Sequence, residues 1–497
     1  MGVSRIRLSL LVLLTAAAIP SHAQNRLTIP IPGRGPNFGS PVIADLDGGP
    51  AEISVTGSDG LVHAFSGDGA LLWSAALPNA SCTAAAADNK AGSTPAVGEL
   101  LGGGRRFVVT GYGGVGGKSC GGGVAAFDGA TGEAAWNFDL RAFAARAGFG
   151  LVVGHSVFSS PALADMNGDG RMEIGFGSFD RHAYLLNGRG KLRWYYQLAD
   201  TTWSSGAFAD VDGDGKLEFL LGSDISGNKA LGTRDGGYIN AFKSRVRRSR
   251  RVFHFRDRRI LRWQTFLDQV VMSTPAVGDL IPDSPGLEVA TLSGCFFPPG
   301  SGSKRGNWVK VLRAGDGALL RTLTTTACSS SSPALGDVNS DGLIDVVAAI
   351  QGEPGVTPSH LLAWTPSTGA LLWDIVPEDQ RGQTEAARGT FLSPSIADLD
   401  GNGSPDVIAP VASAIGIYNG RDGRVLALLP VPEVVQSTAA AGDVTGSGRP
   451  SLVAARSRLY IWSGFESLGS DAGSQPAHTA PWPMFRADAA HTGVIGG

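Results

Sequence analysis

Short runs of small apolar residues ending in an acid recur eight times along this chain. They begin at Pro41, Pro95, Pro161, Gly206, Pro275, Pro333, Pro394 and Ala439, and each closes four residues later on Asp or Glu. First to last is 398 residues over seven steps, or about 57 per repeat, a period long enough for one propeller blade. After the acid comes an apolar strand (173–177, 345–350) and then an alternating one (182–186, 237–242). A glycine-containing hairpin turn leads to a last strand that often carries Trp, as at Trp73, Trp136, Trp194, Trp263 and Trp373. Four strands per unit, repeated radially, predict an all-β fold, an eight-bladed β-propeller of four-stranded blades, with seven blades as the alternative count. Small residues on the first strand suit an axis where all inner strands crowd together. Proline at the start of a strand removes no ladder bond. Helical periodicity is nearly absent, and 140–151 is the main exception.

The ends bear on ring closure. The last repeat has a third strand at 458–462 but no clear fourth, whereas 27–31 is a strand without a repeat of its own. Pairing the two closes the ring and removes two free sheet edges. The competing candidate for that slot is 481–485.

The first residues read as a leader. Arg5 and Arg7 precede an apolar run at 8–19 and a Ser21-His22-Ala23 cleavage site, which predicts a secretory signal peptide of residues 1–23. The propeller is then expected over 24–465, with a tail over 466–497. No later stretch is long and apolar enough to cross a bilayer, so an exported protein is expected, secreted or periplasmic and monomeric. Four cysteines in that setting are expected to pair. By the strand count, Cys82 and Cys120 fall in a 4–1 connection and a 2–3 loop of one repeat. Cys295 and Cys328 stand in the same relation, and both pairs lie on one face of the ring.

Four of the acidic turns are complete. Oxygen-bearing side chains occupy loop positions 1, 3, 5 and 9 at Asp165, Asn167, Asp169 and Glu173, and at Asp210, Asp212, Asp214 and Glu218. They recur at Asp337, Asn339, Asp341 and Asp345, and at Asp398, Asp400, Asn402 and Asp406, always with Gly at position 6. Calcium takes six to eight oxygens at about 2.3–2.6 Å, and alternate residues of a tight loop converge on one centre. Backbone carbonyls of Arg171, Lys216, Leu343 and Ser404 would complete each set. Asx-turns also favour these residues, but four loops in register favour the ion. The other four turns depart from the pattern and are expected to be weak or empty. The one at Asp45 to Glu52 is a residue short, and the one at Asp279 to Glu288 a residue long.

These loops, with segments such as Phe38-Gly39-Ser-Pro-Val-Ile-Ala-Asp45 and Ser160-Pro-Ala-Leu-Ala-Asp165, resemble FG-GAP/VCBS repeats. The resemblance implies the calcium-binding propeller of integrin α-subunits and of many bacterial exported proteins. It further implies a non-catalytic binding or adhesion scaffold for protein or glycan. The outer turns and the tail Trp482-Pro-Met-Phe-Arg-Ala-Asp488 also resemble quinoprotein-type propellers, but no two cysteines are adjacent and the tryptophans read as packing between blades. A polysaccharide lyase or hydrolase is the other enzymatic alternative, and the scattered histidines and absence of a nucleophile motif offer it no catalytic set. Trp203, Phe296 and Phe297 are candidate ligand contacts on the long-loop face. The run 243–262 holds ten Lys and Arg against one acid, a net of +9 in a chain of formal charge −3. It interrupts the 3–4 turn of the fourth repeat on the calcium side and suggests an anionic partner; nucleic acid is not expected for an exported protein.

Overall fold

Eight sheets, seven of four strands and one of five, make up the computed structural model, and the four strands of each blade pair antiparallel. It describes residues 25–82, 90–114, 120–149, 154–225, 227, 229–244, 252–296, 306–352, 358–379, 393–466, 468 and 480–495. The proposed leader therefore lies outside the described residues. Blade 1 runs from Val42–Ala44 to Leu71–Ala76, blade 3 from Ala162–Ala164 to Leu192–Gln197, and blade 4 from Gly206–Ala209 to Leu261–Leu267. Blade 8 is closed by the first strand of the chain. Asn25–Pro30 pairs antiparallel with Arg458–Ser463, from Asn25↔Ser463 to Pro30↔Arg458. The expected N-terminal closure is therefore observed, and the edge of blade 8 is covered. The helix is Leu140–Ala147, capped by the Asp139 carboxylate on Ala142 N and ended by Gly148 in the left-handed region.

The repeated Trp and the turn glycine of the next blade form a lock. Trp73, Trp136, Trp263 and Trp373 donate Nε1–H to the carbonyls of Gly129, Gly188, Ala314 and Gly420, at 2.7–3.0 Å. Each indole lies against a glycine of that same turn, Gly132, Gly190, Gly317 or Gly423, which has positive φ. A Cβ on Gly190 would sit 2.5 Å from the Trp136 ring. Gly190→Ala is therefore expected to destabilise by about 2 kcal/mol or more, combining left-handed strain with a displaced indole. Equilibrium unfolding checks this, and Arg189→Ala one residue away should be nearly neutral.

A second girdle runs round the axis. One or two residues before each inner strand stands a Ser or Thr, and in six of the eight its hydroxyl accepts the backbone N–H of the preceding blade's equivalent. The links are Ser40→Thr94, Thr94→Ser160, Ser160→Ser205, Thr274→Ser332, Ser332→Ser393 and Thr438→Ser40, all at 2.9–3.0 Å. The last joins residues 398 apart in sequence and ties blade 8 to blade 1.

Inside this girdle lies the C-terminal segment. Its backbone bonds successive inner strands in blade order. Ile396 and Trp482 exchange two bonds, and Ala441, Val97, Leu163, Phe208 and Val277 donate to the carbonyls of Pro483, Ala489, Ala490, Thr492 and Gly493. Ile495 N returns to Val277 O. Arg486 is 1% exposed and donates to Ser160 O, Pro161 O and His491 O at 2.7–3.2 Å. Burial lowers its pKa to about 9, so it stays charged at neutral pH. The segment makes nearly one turn of the ring and occupies the axis, rather than filling the fourth-strand slot.

The disulfides are the expected ones, Cys82–Cys120 and Cys295–Cys328. The basic run differs from expectation. It does not stay on the calcium side: Val252–Phe253 adds a fifth strand to blade 3, parallel to Leu192–Gln197, so the insertion climbs the outer wall between blades 3 and 4. Residues 245–251 lie outside the described residues. No helix among the described residues is long and apolar enough to cross a membrane.

Candidate functional site

Every complete acidic loop connects the first and second strands of its blade, and its first Asp organises the turn. Asp165 accepts Gly168 N, Asp169 N and Gly170 N at 2.7–3.0 Å. Asp210 and Asp398 repeat the set with Gly213, Asp214 and Gly215, and with Gly401, Asn402 and Gly403. Asp337 holds Asp341 N and Gly342 N. Residues at position 7 are fixed through their own amides. Arg171 and Lys216 donate to Asp169 and Asp214, and Leu343 and Ser404 to Asp341 and Asn402, at 2.7–3.1 Å.

The acid at position 9 opens the second strand beneath the loop. Glu218, Asp345 and Asp406 accept the N–H of position 2 from Val211, Val338 and Leu399, at 3.1–3.3 Å. Burial raises the pKa of all three, Asp345 to about 6 and Asp406 well above the ordinary range. At Asp406 the neighbouring Asp400 adds to the effect, and Asp400 is itself raised by burial and by Asp398.

Three loops draw three carboxylates together with ligand oxygens within 4.8 Å: Asp210/Asp212/Asp214, Asp398/Asp400/Asp406 and Asp45/Asp47/Glu52. Oxygen-only donors at this spacing fit a hard cation such as calcium. The blade 7 set stands apart, since Asp398, Asp400 and Asp406 are all buried. The other two are capped by arginine, Arg262 on Asp212 and Arg106 on Asp45. Desolvation pushes the Asp45 carboxyl up, but Arg106 and the Gly48 amide outweigh it and hold it below the ordinary range.

The remaining two complete loops do not gather three acids among the described residues. In blade 3, Asn167 Nδ2 and Arg193 engage Glu173 at 2.8 and 3.1 Å. In blade 6, Asp345 is held by Val338 N and the Thr365 hydroxyl, and Asn339 turns its amide onto Asp341. The sign of the Asp345 shift gives a test. Its native pKa lies above the unfolded one, so without metal this group favours the native state most below pH ~4. That contribution is lost as pH rises to about 6 and is flat above. The loss is up to ~3 kcal/mol. Chelated wild type should show this slope in urea unfolding, and Asp345→Asn should lack it.

On the opposite face, Trp203 packs against Phe158 and Phe179 with centroids 5.0 and 4.8 Å away. Trp203, Phe158 and Phe38 line the mouth of the axis, where Phe485 of the C-terminal segment also lies. Trp203 is thus part of the axial packing. Phe296 is 64% exposed beside Cys295, and Phe297 lies outside the described residues.

An FG-GAP-like repeat model matches residues 165–221, from the blade 3 acidic loop to the second strand of blade 4. No curated protein matches the chain in sequence. Among solved structures, the exotype rhamnogalacturonan lyase YesX is similar over 94% of this chain and 80% of its own, with TM-score 0.55 and 16% identity. BamB from Moraxella catarrhalis is similar over 89% of this chain and 100% of its own, with TM-score 0.50 and 14% identity. Sqt1 from Saccharomyces cerevisiae is similar over 88% and 100%, with TM-score 0.53 and 12% identity. At these identities the likeness concerns the fold alone. This chain is an eight-bladed β-propeller protein carrying an FG-GAP-like repeat.

Proposed function

We propose that the protein is an exported, calcium-binding propeller that serves as a non-catalytic binding scaffold for protein or glycan. The observation that carries the calcium reading is the blade 7 set, where three buried carboxylates share one turn. Buried like charges at this distance are stable only when a proton or a cation offsets them. Asp398, Asp400 and Asp406 would hold the ion with Asn402 and the Ser404 carbonyl, and Asp210, Asp212, Asp214 and Glu218 would hold another with the Lys216 carbonyl. Asp45, Asp47 and Glu52 would form a third site. The Asp165 and Asp337 loops would bind more weakly. The ion would supply structural charge balance, fixing one face of the ring so that loops on the other stand on a rigid base.

Two disulfides suit an oxidising compartment, as export requires. A scaffold also suits an axis occupied by the chain's own C-terminal segment, which takes the place where an axial quinone would sit. Incubation with acidic and neutral polysaccharides and with surface protein extracts tests the reading. Saturable binding without new reducing or unsaturated ends is expected, and turnover of any polysaccharide would overturn the scaffold reading in favour of a lyase or hydrolase.

A further inference from the structure

The fourth strands of blades 1 to 7 share one irregularity. Just before the position of the repeated Trp, the pairing with the third strand shifts by a residue, so one residue of the fourth strand has no partner opposite it. Such a bulge re-aims its side chain out of the strand's alternation. The extra residue is apolar in blades 1, 2, 5, 6 and 7, as at Leu372 in blade 6 and Leu426 in blade 7. In blades 3 and 4 it is Arg193 and Arg262. We propose that these two arginines set the calcium affinity of their own blades' acidic loops by competing with the ion for one of its ligands. The inference rests on the calcium reading and deepens it, naming what regulates each site.

Each guanidinium reaches an oxygen that the ion needs. Arg193 Nη2 lies 3.1 Å from Oε1 of Glu173, the acid at position 9 of the blade 3 loop. Arg262 Nη1 contacts Oδ2 of Asp212, the acid at position 3 of the blade 4 loop, and its Nε donates to the Gly315 carbonyl at 3.1 Å. The arginines thus start from the same place on the outer strand and meet different ligand positions. What they have in common is the charge they bring to the loop of their own blade.

Calcium takes a carboxylate oxygen directly, at about 2.3–2.6 Å. A guanidinium bonded to the same carboxylate holds a second positive charge beside the ion, and Coulomb repulsion favours one occupant at a time. When calcium is scarce the arginine offsets part of the loop's negative charge; when calcium enters, it must release the arginine or bear its field. Solvent moderates the effect in blade 4, where the Arg262 and Asp212 side chains are 28% and 24% exposed. In blade 3 the Glu173 side chain is only 4% exposed, so its pairing with Arg193 is the less screened of the two. Blade 7 carries Leu426 at this place and three buried acids in its loop, so its own outer strand supplies no competitor. Calcium would therefore fill blade 7 first and blades 3 and 4 at higher concentration.

The test titrates full-length protein with calcium by calorimetry, in metal-free buffer at low and at high potassium chloride. Arg262→Leu installs the residue type that blade 7 carries at this place, and at low salt it should tighten one calcium equivalent by about fivefold or more. Adding Asp210→Ala should abolish that gain, which assigns it to the blade 4 loop. Arg193→Leu should act in the same way on blade 3, with Asp165→Ala as its control. Arg262→Lys keeps the charge and should stay within about twofold of wild type. High salt should narrow the gap between wild type and Arg262→Leu, because screening weakens the arginine's field; a merely structural role would not follow salt. If Arg262→Leu loses stability with its Gly315 contact, urea unfolding still tests the proposal: calcium should raise the midpoint of the variant by more than that of wild type. Calcium affinity unchanged or weakened in either leucine variant, while wild type binds the ion, would overturn the proposal for that arginine and leave the calcium reading standing. No calcium bound by wild type or by either variant would remove both.

Discussion

Truncation before Pro481 should cost this propeller more stability than any point substitution. The lost segment makes eight backbone hydrogen bonds to six other parts of the ring, through Ile396, Ala441, Val97, Leu163, Phe208 and Val277. At about 1 kcal/mol net for each bond, that alone approaches 8 kcal/mol. Burial of Trp482 and Met484 adds roughly 2–3 kcal/mol apiece. The sum is comparable to the whole stability of an ordinary domain, so the truncated protein should fail to accumulate as a folded species. Arg486→Met keeps the length of the segment but takes the guanidinium donor from the Ser160 and His491 carbonyls, while the Pro161 carbonyl keeps the His491 ring as a partner. It should cost about 2–4 kcal/mol in urea unfolding, since those carbonyls remain buried. A folded truncation with wild-type unfolding midpoint would show the segment to be a passive filler.

The second large effect concerns blade 7, and its sign reverses with calcium. In chelated protein the three buried acids repel, and burial keeps Asp406 protonated beyond the usual range. Asp406→Asn removes the ionisable group but keeps a carbonyl oxygen for Leu399 N. The variant should therefore equal or exceed wild type in chelator. With calcium at a hundredfold excess over Kd, wild type should gain roughly 2.7 kcal/mol from this site, and the variant should gain little. Thermal and urea unfolding of both proteins, with calcium and with chelator, would show crossing curves. Parallel curves would mean that the triad is a protonated hydrogen-bonded turn with no ion.

Much of this was legible in the sequence because the blade repeats. The period fixed the blade count, the unmatched strand near the N-terminus identified the closure, and the face assignment of loops gave the disulfide pairs. What escaped has physical reasons. The C-terminal segment shows no strand pattern, since its eight bonds are spread over six blades, and Arg486, Ala487 and His491 have positive φ. The girdle hydroxyls were hidden by their prolines, which mark where strands begin and draw attention from the residue before. The insertion's strand on blade 3 has only two residues, too few for any periodicity. The Asp45 turn is a residue short, yet Glu52 has one methylene more than Asp, and its carboxylate reaches Leu46 N at 2.7 Å and joins Asp45 and Asp47. Conversely, a complete spacing did not ensure convergence. Arg193 engages Glu173, and Thr365 holds Asp345, neither of which loop spacing alone could reveal.

Calcium content is the most direct measure of the central claim. Purified protein, dialysed against metal-free buffer and then titrated with calcium by calorimetry, should take up the ion with a resolved stoichiometry. Asp406→Asn and Asp210→Ala should each remove one equivalent, and the double variant two. The same stoichiometry in wild type and both variants, or no calcium bound at all, would contradict the assignment of the acidic loops as metal sites.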